Sequence, residues 1–305
     1  MPRLLKRLAL TLVAVALAAV IVAALGYRNA TAAPVVVRYR IAVAGWPASQ
    51  PPLRIVQLTD THLSKPDMPV ARLEAIVAQV AALHPDMVVL TGDYVGGKIH
   101  ALHGYDNLDV GIRPFAALHP PLGIFMVRGN HDDPFWMQVA VPRYGITYLV
   151  NRWADAGPLI VAGLDDFTTG WSRPEAALAG IPPGKPVLLL MHNPDAWTPV
   201  PASVTLSLAG HTHGGQIVLP LLGAAAIESI HGDHYARGLF VEGGRRMIVS
   251  SGIGTTAIPI RFGVPPEIVE VTLYPALTRR GKSSSTTLLR QGTTIGTSLK
   301  LHTLN

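Results

Sequence analysis

The heptapeptide Gly210-His211-Thr212-His213-Gly214-Gly215-Gln216 follows directly on an apolar run from Val204 to Ala209. The run reads as a buried strand that stops at Gly210. On extended backbone, two histidines at i and i+2 point to opposite faces. Flanking glycines lift that constraint, so both imidazoles can turn toward one point while the backbone passes close to whatever is bound. Imidazole is the commonest nitrogen ligand of borderline transition metals, so a metal is the first functional expectation. Alone, the pair reads more readily as a polar loop with two solvent-exposed histidines. Matching ligands have to come from elsewhere in the chain.

Four other apolar runs end in them. Leu53 to Thr59 leads into Asp60-Thr61-His62, and Met87 to Leu90 leads into Thr91-Gly92-Asp93. Leu122 to Val127 stops at Arg128-Gly129-Asn130-His131-Asp132, and Pro186 to Met191 stops at His192-Asn193-Pro194. Between them, Val70 to Leu83 carries Val70, Leu73, Ile76, Val77, Val80 and Leu83 at helical spacing. Asp106–Leu118 and Pro134–Tyr144 are further expected helices, and Val35–Val43 is an earlier strand. Shorter strands are expected near Tyr148–Val150 and Leu159–Ala162. The alternation predicts an α/β layered fold, in which ligands gather beyond the carboxyl ends of the strands. After Gln216 the helical pattern fades. Gly238–Val241, Met247–Ser250 and Glu267–Leu273 read as strands of a second sheet packed on the first.

The chain has 305 residues, enough for a full core, and only 14% of them are charged. With no cysteine, disulfides, thiolate metal sites and thiol nucleophiles are excluded. The net charge of +6 belongs to the ends. Arg3, Lys6, Arg7 and Arg28 precede residue 31, and Arg279, Arg280, Lys282, Arg290 and Lys300 follow residue 275. Without those nine, residues 31–275 stand at −3. A nucleic-acid-binding body would carry its own basic face, so no nucleic acid is expected as a partner, and no protein partner is predicted.

Leu8 to Leu25 is an apolar run with no charged residue, broken by Thr11 alone, about 27 Å long as a helix and close to the hydrocarbon thickness of a bilayer. It is longer than most signal-peptide cores, although Ala30-Thr31-Ala32 resembles a cleavage site. Three basic residues precede the run, so the N-terminus is expected in the cytoplasm and the body outside. The expected organisation is a membrane anchor over residues 1–30, one catalytic domain over 31–275 and a basic disordered tail over 276–305. The expected place is a bacterial inner membrane, crossed once, with the domain periplasmic or extracellular.

The ordered set Asp-x-His, Gly-Asp, Gly-Asn-His, a lone His and Gly-His-x-His resembles the calcineurin-like metallophosphoesterases from about Leu53 to Leu273. Leu208 to Gln216, with Pro259-Ile260-Arg261 and Pro266-Glu267-Ile268, is similar to a bacterial membrane-associated branch. Some members of that branch act on phosphodiesters or on the pyrophosphate of a UDP-acylated glucosamine. The resemblance implies a four-layer αββα fold, a two-sheet β-sandwich flanked by helices. It implies two divalent ions, Mn, Fe or Zn. Asp60, His62 and His213 would hold one, Asn130, His192 and His211 the other, with Asp93 bridging. A hydroxide shared by the ions would attack phosphorus, with His131 beside the leaving oxygen. The substrate would be a phosphate ester, including a lipid or a nucleotide-sugar lipid.

The chain departs from the protein-phosphatase branch at Gly92-Asp93-Tyr94-Val95-Gly96-Gly97, where an acid followed by Arg is missing. That argues against a protein phosphatase and removes the carboxylate that would orient His131. Asp132 is expected to cap the following helix instead. Arg261, with Gly252 to Thr255, and His231, with His234, are candidates for holding substrate. His100 and His103 fall in an insertion where selectivity could reside, and Asp165 and Asp166 read as turn residues. Other readings are a catalytically silent metal-binding scaffold or sensor and a phosphomonoesterase. A metallo-β-lactamase-type hydrolase ranks behind, because it needs His-x-His-x-Asp-His where this chain continues Gly-Gly.

Overall fold

The structure is a computed structural model that describes residues 2–46, 50–96 and 105–276. His100 and His103, and the basic tail from residue 277 on, lie outside the described residues.

Two six-stranded sheets are stacked face to face. The first has the order β1 (Val35–Val43), β14 (Glu267–Pro275), β2 (Leu53–Leu58), β3 (Met87–Thr91), β4 (Ile124–Val127) and β5 (Thr147–Tyr148). The second runs β12 (Gly238–Glu242), β13 (Arg245–Val249), β9 (Leu206–Ala209), β8 (Val187–Leu190), β7 (Ile160–Gly163) and β6 (Arg152–Asp155). β10 (Val218–Leu219) and β11 (Gly223–Ala224) form a separate hairpin.

The central strands are mostly apolar because both of their faces are covered. Period-two alternation sends Ile55, Met87, Val89, Leu188, Leu190 and Leu208 into the layer between the sheets. Val56, Leu58, Val88 and Leu90 face outward instead. They pack on α2 (Val70–Ala81), α3 (Tyr105–Ile112) and α4 (Pro134–Ala140), through side chains such as Leu73, Ile76 and Val80. The outer face of the second sheet is covered by α5 (Pro174–Leu178) and by a 3-10 turn that buries Trp197. The result is the helix–sheet–sheet–helix layering expected from the family resemblance.

The placement of β14 differs from the expectation. Glu267–Leu273 was expected beside Gly238–Val241 and Met247–Ser250, but β14 returns to the first sheet. It lies parallel to β1 and antiparallel to β2. The second sheet is completed by β6 to β9, which precede Gln216. The cause is the alternation of β14 itself. Val269, Val271 and Leu273 face the inter-sheet layer while Ile268 faces the helix side, so the strand is buried on both faces and needs a central place.

The first helix, α1, spans Pro2–Ala30. Its apolar side chains are exposed over most of its length, and its mean hydropathy reaches 2.9. Among the described residues it is the one helix long and apolar enough to cross a membrane. Its last turn is docked on the body. Arg261 N donates to Gly26 O at 3.0 Å, Arg72 Nη2 donates to Ala30 O at 2.9 Å, and Ala30 is fully buried.

Candidate metal centre

The parallel strands β2, β3 and β4 of one sheet, and β8 and β9 of the other, release their ligand loops at the same edge of the sandwich. Gln57, a buried glutamine in β2, joins the two sheets there. Its amide donates to Thr91 Oγ1 at 2.9 Å and to Ala209 O at 2.8 Å.

Backbone conformation marks the site. Asp60, His62, Asp93, His211 and His213 all have positive φ, between 42° and 72°. Non-glycine residues held this way cost about 1–3 kcal/mol each and cluster where function requires them. Close approach also requires glycine. A Cβ at Gly210 would overlap the Asp60 carboxylate and the Thr59 hydroxyl, and a Cβ at Gly129 would overlap Asp93 Oδ1.

The side chains converge in two adjoining groups, Asp60 with His62 and His213, and Asp93 with His192 and His211. Within the first, His62 Nε2 is 3.1 Å from His213 Nε2, which is 3.5 Å from Asp60 Oδ1. Within the second, His192 Nε2 lies 3.2 Å from both His211 Nδ1 and Asp93 Oδ2, and 3.1 Å from Asn130 Oδ1. Asp93 Oδ2 is also 3.5 Å from His62 Nε2, which places it between the groups. His131 Nε2 stands 4.0 Å from the same oxygen and is partly exposed.

These atoms fit a pair of cations. Nδ1 of His192 is 2.8 Å from Thr91 O and Nδ1 of His62 is 3.2 Å from Gly96 O. A carbonyl only accepts, so each Nδ1 carries the proton and each Nε2 lone pair faces the centre. Lone pairs gathered at such distances repel unless a cation or a proton lies between them. The oxygen and imidazole donor set suits Mn, Fe or Zn.

Electrostatics support the same reading. Burial drives the His213 imidazole well below its ordinary pKa, and His62 and Arg261 add to this. Burial, then His192, lowers His211 to about 4. Both rings are therefore neutral and free to ligate. Burial raises Asp60 to about 6. At His192 burial works in the opposite direction, but Asp93 and Asp60 outweigh it and push the ring up to about 10. Asp93 is also desolvated, yet His192, His62 and His131 hold it well below the carboxylate range.

A pH dependence follows. Asp60 and His192 bind protons more tightly in the chelator-stripped fold than free side chains do, and only their deprotonated forms ligate. Metal affinity should therefore fall as pH drops, steeply through about 6 where Asp60 protonates. Proton release on adding Mn²⁺ to stripped protein, followed by titration calorimetry in buffers of different ionisation enthalpy, checks this. Release of no protons at pH 8 would contradict it.

Three expectations need correcting. Asp132 does not cap α4; Asp133 does, accepting from the N–H groups of Phe135 and Trp136. Asp132 is buried and accepts from the N–H groups of Asp93, Tyr94 and Gly129, lacing the β3 loop to the β4 loop. Arg261 does not face a substrate. It is fully buried, its guanidinium donates to the carbonyls of Ser251 and Gly254, and Nη2 backs His213 Nδ1 at 3.3 Å. Burial among carbonyls, which attract a guanidinium, explains that inward turn. Asp165 is more than a turn residue, because it forms a buried ion pair with Arg128. His231 is exposed, packs its ring on Tyr235 and lies 3.5 Å from Thr198 Oγ1. Among the described contacts none ties it to the ligand cluster.

The sequence reading missed Asp132, Thr91 and Gln57 as supports of the site. A glutamine inside Leu53–Leu58 was the one visible signal, since a buried amide needs partners.

A family model described as calcineurin-like phosphoesterase matches residues 53–215. YkuE of Bacillus subtilis, named an uncharacterized metallophosphoesterase, is 32% identical over 72% of this chain and 78% of that protein. A protein named phosphodiesterase YaeI, of Escherichia coli, is 30% identical over 73% of this chain and 82% of its own length. A protein named UDP-2,3-diacylglucosamine pyrophosphatase LpxG, of Chlamydia muridarum, is 29% identical over 71% of this chain and 82% of its own. The chain thus belongs to the calcineurin-like phosphoesterases and is a metallophosphoesterase, a hydrolase of phosphoric ester or anhydride bonds.

Proposed function

We propose that the chain is a membrane-anchored phosphodiesterase or pyrophosphatase that acts at the surface of a bacterial inner membrane. The observation that carries the reading is Asp93 Oδ2, set between two buried ligand groups that each offer imidazole and carboxylate. Asp60, His62 and His213 would hold one ion, Asn130, His192 and His211 would hold the other, and Asp93 lies where it would serve both. Bound there, such a pair would supply Lewis acidity toward phosphate oxygens and would lower the pKa of a water.

The chain's own residues do the rest. Burial, with His62 and Arg261 adding to it, favours the neutral His213 ring, and Arg261 backs it at 3.3 Å. The carbonyls of Thr91 and Gly96 fix the tautomers of His192 and His62. His131 is partly exposed beside Asp93, its backbone N–H donates to Asp93 Oδ1 at 3.0 Å, and its ring would deliver a proton to the leaving oxygen. The names of YaeI and LpxG favour a diester or a lipid-linked pyrophosphate over a monoester.

The domain division follows the same reading, with an anchor over 1–30, the catalytic domain over 31–275 and the tail beyond it. An anchor that stays attached is supported by the burial of Ala30 and by Arg72, which donates to the carbonyls of Ala30 and Ala32. The body stands on the periplasmic or outer side, a reading supported by Arg3, Lys6 and Arg7 ahead of the apolar run of α1.

Purified full chain in detergent with Mn²⁺ should hydrolyse bis-p-nitrophenyl phosphate. Bound metal with no turnover, whether with Mn²⁺, Fe²⁺ or Zn²⁺, would support a silent scaffold instead. His131→Ala should retain its metal and lose about 10²–10⁴-fold in kcat on an alkyl ester, with a smaller loss on p-nitrophenyl esters, whose leaving group needs less protonation. Full activity of this variant on the alkyl ester would rule out the acid role.

A further inference from the structure

We propose that the tip of the β10–β11 hairpin, with Leu221 and Leu222, is a second membrane contact that seats the metal centre against the lipid surface. It rests on the reading that α1 crosses a bilayer, and it deepens the proposed function by assigning the substrate phosphorus to the headgroup level of a lipid.

The hairpin has the wrong chemistry for a turn in water. From Gln216 to Ile227 the chain carries no charged residue, although exposed turns are normally polar. Leu221 is 105% exposed and Leu222 80%, and Leu219 beside them is also exposed. Leu221 has a φ of 68°, a left-handed conformation that glycine or asparagine adopts more cheaply. A large apolar side chain is thus presented outward at a position unfavourable to it in both solvation and backbone terms. Insertion into lipid removes the first penalty and gives the side chain a purpose.

Its position names the occupant. Ile217 pairs with Phe262, Val218 N donates to Phe262 O at 2.9 Å, and Phe262 N donates to Gln216 O at 3.0 Å. The same segment touches the last exposed turns of α1. A Cβ on Gly26 would stand 2.7 Å from Phe262 Cε2 and 2.9 Å from Ile260 Cβ, and Arg261 N is bonded to Gly26 O. The hairpin is therefore separated from the membrane helix by a single strand-like segment, roughly 5 Å per strand spacing. Ile258, 44% exposed, continues the apolar surface on that segment. Tyr27, Arg28 and Lys65 are exposed around the end of α1, the residue types that sit at the lipid–water boundary. A bilayer that holds α1 thus meets the tip.

The consequence reaches the metal centre. His213 precedes Ile217 by one tight turn, in which Gln216 N donates to His213 O. Lipid contact at Leu221 and Leu222 consequently fixes the height of His213, and of the ions it helps to hold, above the membrane.

The chain has no cysteine, so single probes can be placed cleanly. Full-length Leu222→Cys, labelled with an environment-sensitive fluorophore, is reconstituted in vesicles of phosphatidylethanolamine and phosphatidylglycerol. Its emission should shift to the blue, be quenched by bromolipids and be protected from iodide. A Lys185→Cys probe, at the opposite edge of the second sheet, should show the reverse. Equal iodide access at both positions would overturn the proposal. Leu221→Asp with Leu222→Asp should leave turnover of soluble bis-p-nitrophenyl phosphate unchanged and lower turnover of a vesicle-embedded long-chain p-nitrophenyl diester about tenfold. Equal loss on both esters, or loss on neither, would refute it. So would a detergent-solubilised dimer that these substitutions dissolve, which would make the tip a contact between copies. If the parent chain turns over neither ester the hydrolase reading falls, while the quenching experiment still decides the lipid contact.

Discussion

Asp93→Asn should leave the protein folded, with fewer than two ions per chain, and lower kcat by on the order of a thousandfold or more. The substitution preserves shape and removes one negative charge at the oxygen between the two ligand groups. Oδ2 of Asp93 lies 3.2 Å from His192 Nε2 and 3.5 Å from His62 Nε2, so its loss affects both groups at once. Asn also brings an amide that donates where an acceptor is needed, a polarity error whichever way it is rotated. The change should reach proton equilibria too. Asp93 is the main partner holding His192 up, so its neutralisation should bring that ring's pKa down. Metal content by mass spectrometry, initial rates on bis-p-nitrophenyl phosphate and NMR titration of the His192 ring make three separable readouts. Two tightly bound ions together with parental rates would remove Asp93 from its bridging role.

The second large effect is expected from Gly129→Ala, a single added methyl group. Gly129 sits at the end of β4 with its Cα turned toward the β3 loop. A Cβ there would overlap Asp93 Oδ1 and approach Asp93 N to 2.7 Å. These neighbours include backbone, so the clash cannot be relieved by rotating a flexible side chain. Both loops are also held by Asp132, which accepts from the N–H groups of Gly129 and Asp93. The strain should cost about 1–3 kcal/mol in stability, as overpacking does. It should displace the Asp93 carboxylate far enough to lower metal affinity at least as much as loss of a supporting hydrogen bond does, about 10–100-fold. The expected outcome is a folded protein by circular dichroism, a lower Tm, and activity recovered only in part by excess Mn²⁺. Parental metal affinity in this variant would show that the loops are more compliant than their packing implies.

Both effects concern places where two loops from neighbouring strands meet, which is where the sequence is least explicit. The ligand types and their order were legible along the chain, because each follows an apolar strand that stops abruptly in glycine, aspartate, asparagine or histidine. The amphipathic repeat of Val70 to Leu83 was equally clear, and α2 ends within two residues of it. Strand β6 was not anticipated. Arg152–Asp155 lies at a sheet edge, half-exposed, and its composition does not alternate cleanly. Asp132 and Asp133 are adjacent and chemically identical, so no local rule could tell the helix cap from the carboxylate that laces the site. Only the position of the β3 loop separates them. Arg261 is a similar case. An arginine near a phosphate site suggests anion binding, but its surroundings turn it inward onto carbonyls and the back of His213.

The sequence by itself determined the chemistry: which atoms are available to hold ions, the order in which they arrive, and the presence of an apolar N-terminal helix. These are local properties, set by side-chain type and short-range periodicity. The tertiary structure alone decided that β14 returns to the first sheet, that Gln57 stitches the two sheets together at the ligand edge, and that the last turn of α1 packs on the segment behind His213. Each of these depends on contacts between residues far apart in the chain, where burial on two faces and the satisfaction of buried polar groups choose among arrangements that local pattern leaves equal.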